Sequence, residues 1–144
     1  MESVALFHFA ECTNVISELN KPEPNLNVIR WLNQHPTAFI STITKAELLY
    51  GVANLSDGKR KRQPSQATDE ILALFENHTL SFCTKSAEHY AKVISDRQKQ
   101  GRPILMADAL IASIALANGL TVVPRNIKDF DGIDKLALFN PFNP

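Results

Sequence analysis

The chain has 144 residues, 44% of them apolar and 21% charged, which suits a folded domain large enough to bury a core. Its 15 Lys and Arg balance 15 Asp and Glu, so no global field points to duplex nucleic acid or a membrane surface, although a local basic patch stays open. No apolar run reaches the roughly 18 residues of a membrane span. The start MESVALFHFAEC lacks a basic leader, and Cys12 and Cys83 form neither a metal motif nor a disulfide framework. A single domain over 1–144 at a cytoplasmic location, with no membrane association, is expected.

Taken in chain order, short apolar runs alternate with longer amphipathic ones. Val4–Ala10 reads as a buried strand interrupted only by His8. After the breaker stretch NKPEPN, Asn25–Gln34 carries Leu26, Ile29 and Leu32 at helical spacing. Ala38–Thr42 is a second short strand, and Thr44 to about Leu55 a helix. SDGKRKRQPS is expected as a polar loop before a helix over Gln66–Asn77. Leu80–Cys83 is a third strand. Ser86–Gln100 is a helix stopped by Gly101, with Pro103 beyond. Met106–Asn118 is a nearly all-apolar, buried helix ending at Gly119; Leu120–Val123 is a fourth strand and Leu136–Phe139 a weak fifth.

Strands separated by helices imply βαβ crossovers, a mainly parallel sheet and helices on both faces. In such sheets the site lies beyond the carboxyl ends of the strands. That directs attention to CTN (12–14), TITKAE (42–47) and PRNIKDF (124–130), and to Asp108, the lone charge of the apolar stretch Pro103–Ala117.

Each candidate has a plain structural alternative. Thr44-x-x-Glu47 matches a capping box. Asp108 suits a helix N-terminus by its charge, worth about 0.3–1 kcal/mol. Asn126 and Asp129 suit a capped helix start, and Asp131 and Asp134 surface turns. Against these stands the chemistry of a carboxylate group near Glu47, Asp108 and Asp129, which favours a hard divalent cation such as Mg²⁺ or Mn²⁺. Such an ion orients water and offsets charge on a phosphodiester. Arg125 is a candidate phosphate contact. The run Lys59–Arg62 is either a phosphate contact or a solvated loop. No P-loop, dinucleotide fingerprint or zinc motif competes, and no local signature supports Cys12 as a nucleophile with His8, His35, His78 or His89.

The ordered motifs TNVISEL, ISTITKAELLYGV, GRPILMADALIASIALANGLTVVPRNIKDF and a closing FNP resemble those of PIN-domain proteins, specifically VapC-like and FitB-like toxins of bacterial type II toxin–antitoxin pairs. The resemblance runs from about Phe7 to Pro141. It implies a three-layer α/β/α fold with a central, mainly parallel sheet of four to five strands, and a Mg²⁺- or Mn²⁺-dependent endoribonuclease, a hydrolase of RNA. It also implies a homodimer and a cognate antitoxin. Carried over residue by residue, the metal-binding catalytic carboxylates fall on Glu47, Asp108 and Asp129, with Asn14, Arg125 and Asn126 as substrate or supporting contacts.

Two positions depart from the family pattern. Pro124 stands where a small hydroxyl residue is common. Cys12 stands where the first catalytic Asp belongs, immediately before Thr13 and Asn14, and a neutral thiol is a poor ligand for a hard cation. Glu11 would replace that Asp only if a bulge turned it. The expectation is therefore a ribonuclease weakened or silenced at Cys12. The alternative is a catalytically inactive PIN-fold module that sequesters an antitoxin or binds RNA.

Overall fold

The computed structural model describes residues 9–11, 13–55 and 59–144, with side chains over 14–55 and 62–144. Four strands, β1 (Phe9–Glu11), β2 (Phe39–Ser41), β3 (Thr79–Leu80) and β4 (Thr121–Val123), form a parallel sheet in the order β3-β2-β1-β4. The part of the first expected strand over 4–8, and Cys12 itself, lie outside the described residues. The ladder keeps register through Glu11, which pairs with Ile40 on one side and Val123 on the other. Among the described residues no bulge interrupts the ladder up to Glu11.

The expected fifth strand is reduced to one step. Val122 bridges Leu138 in parallel, with bonds from Val122 N to Ala137 O (2.9 Å) and Phe139 N to Val122 O (3.0 Å). Leu136 N is taken instead by Ile133 O at 3.2 Å, so a turn ends the ladder there.

Six helices surround the sheet among the described residues: α1 (Thr13–Ile16, running into a 3₁₀ turn Ser17–Asn20), α2 (Leu26–Gln34), α3 (Thr42–Ala53), α4 (Lys59–Leu74), α5 (Thr84–Lys99) and α6 (Met106–Asn118). Strand alternation sorts them into layers. Val122 packs with Val93, Ala109 and Ala112 of α5 and α6, whereas its neighbour Val123 packs with Val15, Val28 and Trp31 of α1 and α2. Ile40 of β2 joins Leu48, Ile71 and Phe75 beside α3 and α4 on that second face. The result is the expected α/β/α sandwich, with α6 buried from Ala109 to Ala115. Ser113 satisfies its hydroxyl on Ala109 O (2.6 Å), and Gly119, at φ 66°, supplies the left-handed residue that ends α6.

Three boundaries differ from expectation for physical reasons. Helix α3 starts at Thr42, because buried Ser41 is its N-cap and accepts Thr44 N at 3.1 Å; the Thr44–Glu47 capping box does not form. Helix α4 begins at Lys59 where a polar loop is expected, since Lys, Arg and Gln are good helix formers, and this offsets part of the cost of Pro64, whose ring removes one amide bond and crowds the carbonyl four residues back. Strand β3 stops at Leu80, and Cys83 takes the N-cap of α5. Replacing the α3 cap by Ser41→Ala should lower stability by about 1 kcal/mol, read from the urea midpoint. An unchanged midpoint would show that Thr44 N finds another partner.

Candidate active site

Because all four strands are parallel, their carboxyl ends share one edge, and the helices leaving or entering there bring side chains to it. Asn14 follows β1 on α1. Ser41, closing β2, starts α3, whose second turn carries Glu47. The backbone leaves β4 through buried Pro124 into Arg125, Asn126 and a 3₁₀ turn, Ile127–Asp129. Helix α6 leads back into β4, so its N-terminus and Asp108 stand at this same edge.

These residues line one cavity of about 140 Å³: Asn14, Glu47, Asp108, Arg125, Asn126 and Asp129, over Ile111 and Phe130. The six site residues carried over from the family resemblance therefore line one cavity, and Arg62, the residue of the run Lys59–Arg62 whose side chain is described, is not part of it. The expected cap at Asn126 is also present, since Asn126 Oδ1 accepts Lys128 N at 3.2 Å. It does not consume Asp129: Asn126 Nδ2 reaches Asp129 Oδ1 at 3.4 Å and orients that carboxylate. For Glu47 the capping alternative is gone, because Ser41 does that work.

Asp108 is half-buried, while Glu47 and Asp129 are exposed at the rim. Burial, then the charges of Asp129 and Glu47, push its carboxyl from 3.8 up to about 6, against the pull of Arg97. A carboxylate group that repels itself this way, made of hard oxygen donors, suits a hard divalent cation. Among the described residues no three His, Cys, Asp or Glu side chains converge closely enough to grip an ion directly. The cavity has room for several waters, each about 30 Å³ in the liquid, and Mg²⁺ characteristically keeps part of its hydration shell.

Two further charged residues lie outside the set of site candidates that the sequence suggested. Glu18, 3% exposed, accepts Asn25 N at 2.8 Å and pairs with Lys21. Burial works to raise its pKa, but Lys21, the Asn25 amide and the field of Arg125 together hold it below the usual range. Arg97, 4% exposed, lies on α5 behind Asp129. Its signal was present, because it continues the stripe of Tyr90, Val93 and Ile94, where a charge is out of place. Arg125 stacks over Phe142, with 4.9 Å from guanidinium carbon to ring centre, and its carbonyl accepts Asn140 Nδ2 at 2.8 Å. No described helix is long and apolar enough to cross a membrane.

Residues 13–136 match the family model for the PIN domain. The toxin FitB of Neisseria gonorrhoeae is 39% identical over 134 residues, covering 91% of this chain and 96% of that protein. A crystal structure of FitAcB from the same organism superposes with a TM-score of 0.86 at 37% identity, covering 94% of this chain and 99% of the other. The VapC ribonuclease Y4jK of Sinorhizobium fredii is 34% identical, covering 92% of this chain and 96% of that protein. A toxin–antitoxin complex from Klebsiella pneumoniae superposes with a TM-score of 0.67 at 25% identity, covering 94% and 97% of the two chains.

Proposed function

The chain belongs to the PIN-domain family, and on that premise we propose that it is a VapC-like endoribonuclease acting through a divalent metal at Glu47, Asp108 and Asp129. The supporting observation is the shared cavity at the strand ends, where these carboxylates meet Asn14, Arg125 and Asn126. A Mg²⁺ or Mn²⁺ bound there, directly or through water, would orient an attacking water and offset charge on the scissile phosphate.

The chain's own groups do the rest. Arg125 offers a planar guanidinium to the phosphate, kept in place by the Phe142 ring beneath it. Asn126 holds Asp129 while its own side-chain oxygen caps the turn. Half-buried Asp108 is the carboxylate most in need of a cation when ionised. The same reading gives the protein an antitoxin partner and a homodimeric state, as its family likeness implies.

The test is cleavage of a panel of structured RNAs with Mn²⁺, set beside calorimetric titration of the ion. Glu47→Gln should reduce the cleavage rate by roughly a hundredfold, the scale of removing one electrostatic stabiliser. Equal rates for wild type and Glu47→Gln would remove the proposal's support. One observation favours a second reading: Cys12 occupies the place of the first family carboxylate. A catalytically inactive module that binds antitoxin or RNA would still form its complex, with no dependence on the ion and no loss in Glu47→Gln.

A further inference from the structure

The loop that carries Asp129 is held from behind by the end of α5. Arg97 Nη1 donates to Asp129 O at 3.4 Å and to Asp131 O at 3.0 Å, and its Nε donates to Arg102 O at 2.8 Å. Arg102 Nη2 donates to Lys128 O at 3.3 Å and pairs with the Asp131 carboxylate. Gln100 Nε2 donates to Gly132 O at 3.2 Å. One short segment, 97–102, thus grips the main chain of 128–132 at four carbonyls, those of Lys128, Asp129, Asp131 and Gly132. Gly132 makes room for it: at φ 77° a Cβ would stand 3.0 Å from Arg102 Nη1.

The central member of this clamp is unusual in its charge balance. A buried guanidinium ordinarily takes a carboxylate partner. Among the described residues the hydrogen bonds of Arg97 go to main-chain carbonyls, those of Asp129 and Asp131 among them. The cation therefore lies directly behind the carboxylate group, tied by rigid backbone rather than by an ion pair that would cancel an acid needed in front.

We propose that Arg97, supported by Arg102, is a positioning residue of the active site: it fixes the 128–132 backbone so that Asp129 faces the cavity shared with Glu47 and Asp108, and supplies the positive charge that lets those carboxylates gather. This rests on the metal-dependent reading above. Neither arginine lines that cavity, so the effect reaches the ion through Asp129.

The experiment measures Mn²⁺ binding by calorimetry on the full chain, with backbone amide exchange over 127–132 recorded on the same samples. Arg97→Gln removes both fork and charge, Arg97→Lys keeps the charge without the fork, and half-exposed Arg102→Gln loosens the clamp from outside. Arg97→Gln should raise the Mn²⁺ dissociation constant about tenfold, the scale found when groups supporting metal ligands are removed. Arg97→Lys and Arg102→Gln should show smaller increases, with amide exchange accelerating in the same order. If Arg97→Gln does not fold, the other two carry the test. Faster loop exchange with unchanged Mn²⁺ affinity in those folded variants would reduce the clamp to a structural tie and overturn the proposal. Failure of the wild type itself to bind Mn²⁺ would sink the metal reading and this inference with it; normal binding by wild type and variants alike would sink the inference alone.

Discussion

Cys12→Asp should convert this chain into a markedly better ribonuclease, raising Mn²⁺-dependent RNA cleavage by on the order of a hundredfold. In sequence, position 12 falls between Glu11, which closes β1, and Thr13, which opens α1. On the proposed metal reading, a carboxylate added there would join Glu47, Asp108 and Asp129 as a hard oxygen donor. A neutral thiol has little affinity for Mg²⁺ or Mn²⁺, so on the proposed metal reading Cys12 would leave the cluster one ligand short. A ligand supplying about 3 kcal/mol of transition-state stabilisation is worth roughly two orders of magnitude in rate. Cys12→Ser is the control, because it removes the thiol without adding charge and should leave activity at the wild-type level. If Cys12→Asp cuts no faster than Cys12→Ser while both bind Mn²⁺ tightly, ligand number is not what limits cleavage. If Cys12→Asp remains silent and no RNA is cut, the binding-module reading gains.

Much of this site was legible because the chemistry of its residues conflicts with their surroundings. Asp108 stood out as a charge inside an apolar helix, and the structure half-buries it at the end of α6 nearest the cavity. PRNIKDF was legible through topology: residues following a parallel strand reach the sheet edge whatever their local turn. Local patterns misled where several competed. Thr44-x-x-Glu47 and Ser41 both offer helix caps, and burial of Ser41 at the end of β2 decided for the earlier one. Lys59–Arg62 reads as a loop from its polarity, yet its propensities are helical. The clamp was illegible for a different reason. Arg97 donates to carbonyls of residues 32 and 34 positions away, and main-chain acceptors leave no trace in side-chain identity.

Asp108→Asn should make the metal-free protein more stable at pH 7 than the wild type, while abolishing its advantage from Mn²⁺. The carboxyl of Asp108 titrates near 6 in the fold, above the 3.8 it has when unfolded. Between those values the folded chain binds more protons than the unfolded one, so stability falls as pH rises. The favourable contribution of protonated Asp108 is complete below about pH 4 and is lost as pH passes 6. At pH 7 the fold therefore carries an ionised, half-buried carboxylate facing Asp129 and Glu47, at a penalty of about 1–3 kcal/mol. Asn removes that penalty, so urea midpoints of variant and wild type should separate at pH 7 and converge at pH 4. Mn²⁺ should reverse the order by binding the folded wild type, a gain of roughly 2.7 kcal/mol at a hundredfold excess over the dissociation constant that the variant forgoes. Because the ion requires the ionised carboxylate, that gain, like cleavage, should itself fade as pH drops below 6. Equal Mn²⁺ stabilisation of both proteins would detach Asp108 from the metal, and a midpoint difference independent of pH would detach its strain from its charge. Either result would break the proposed link between the strain of an ionised Asp108 at this edge of the sheet and a metal ion bound there.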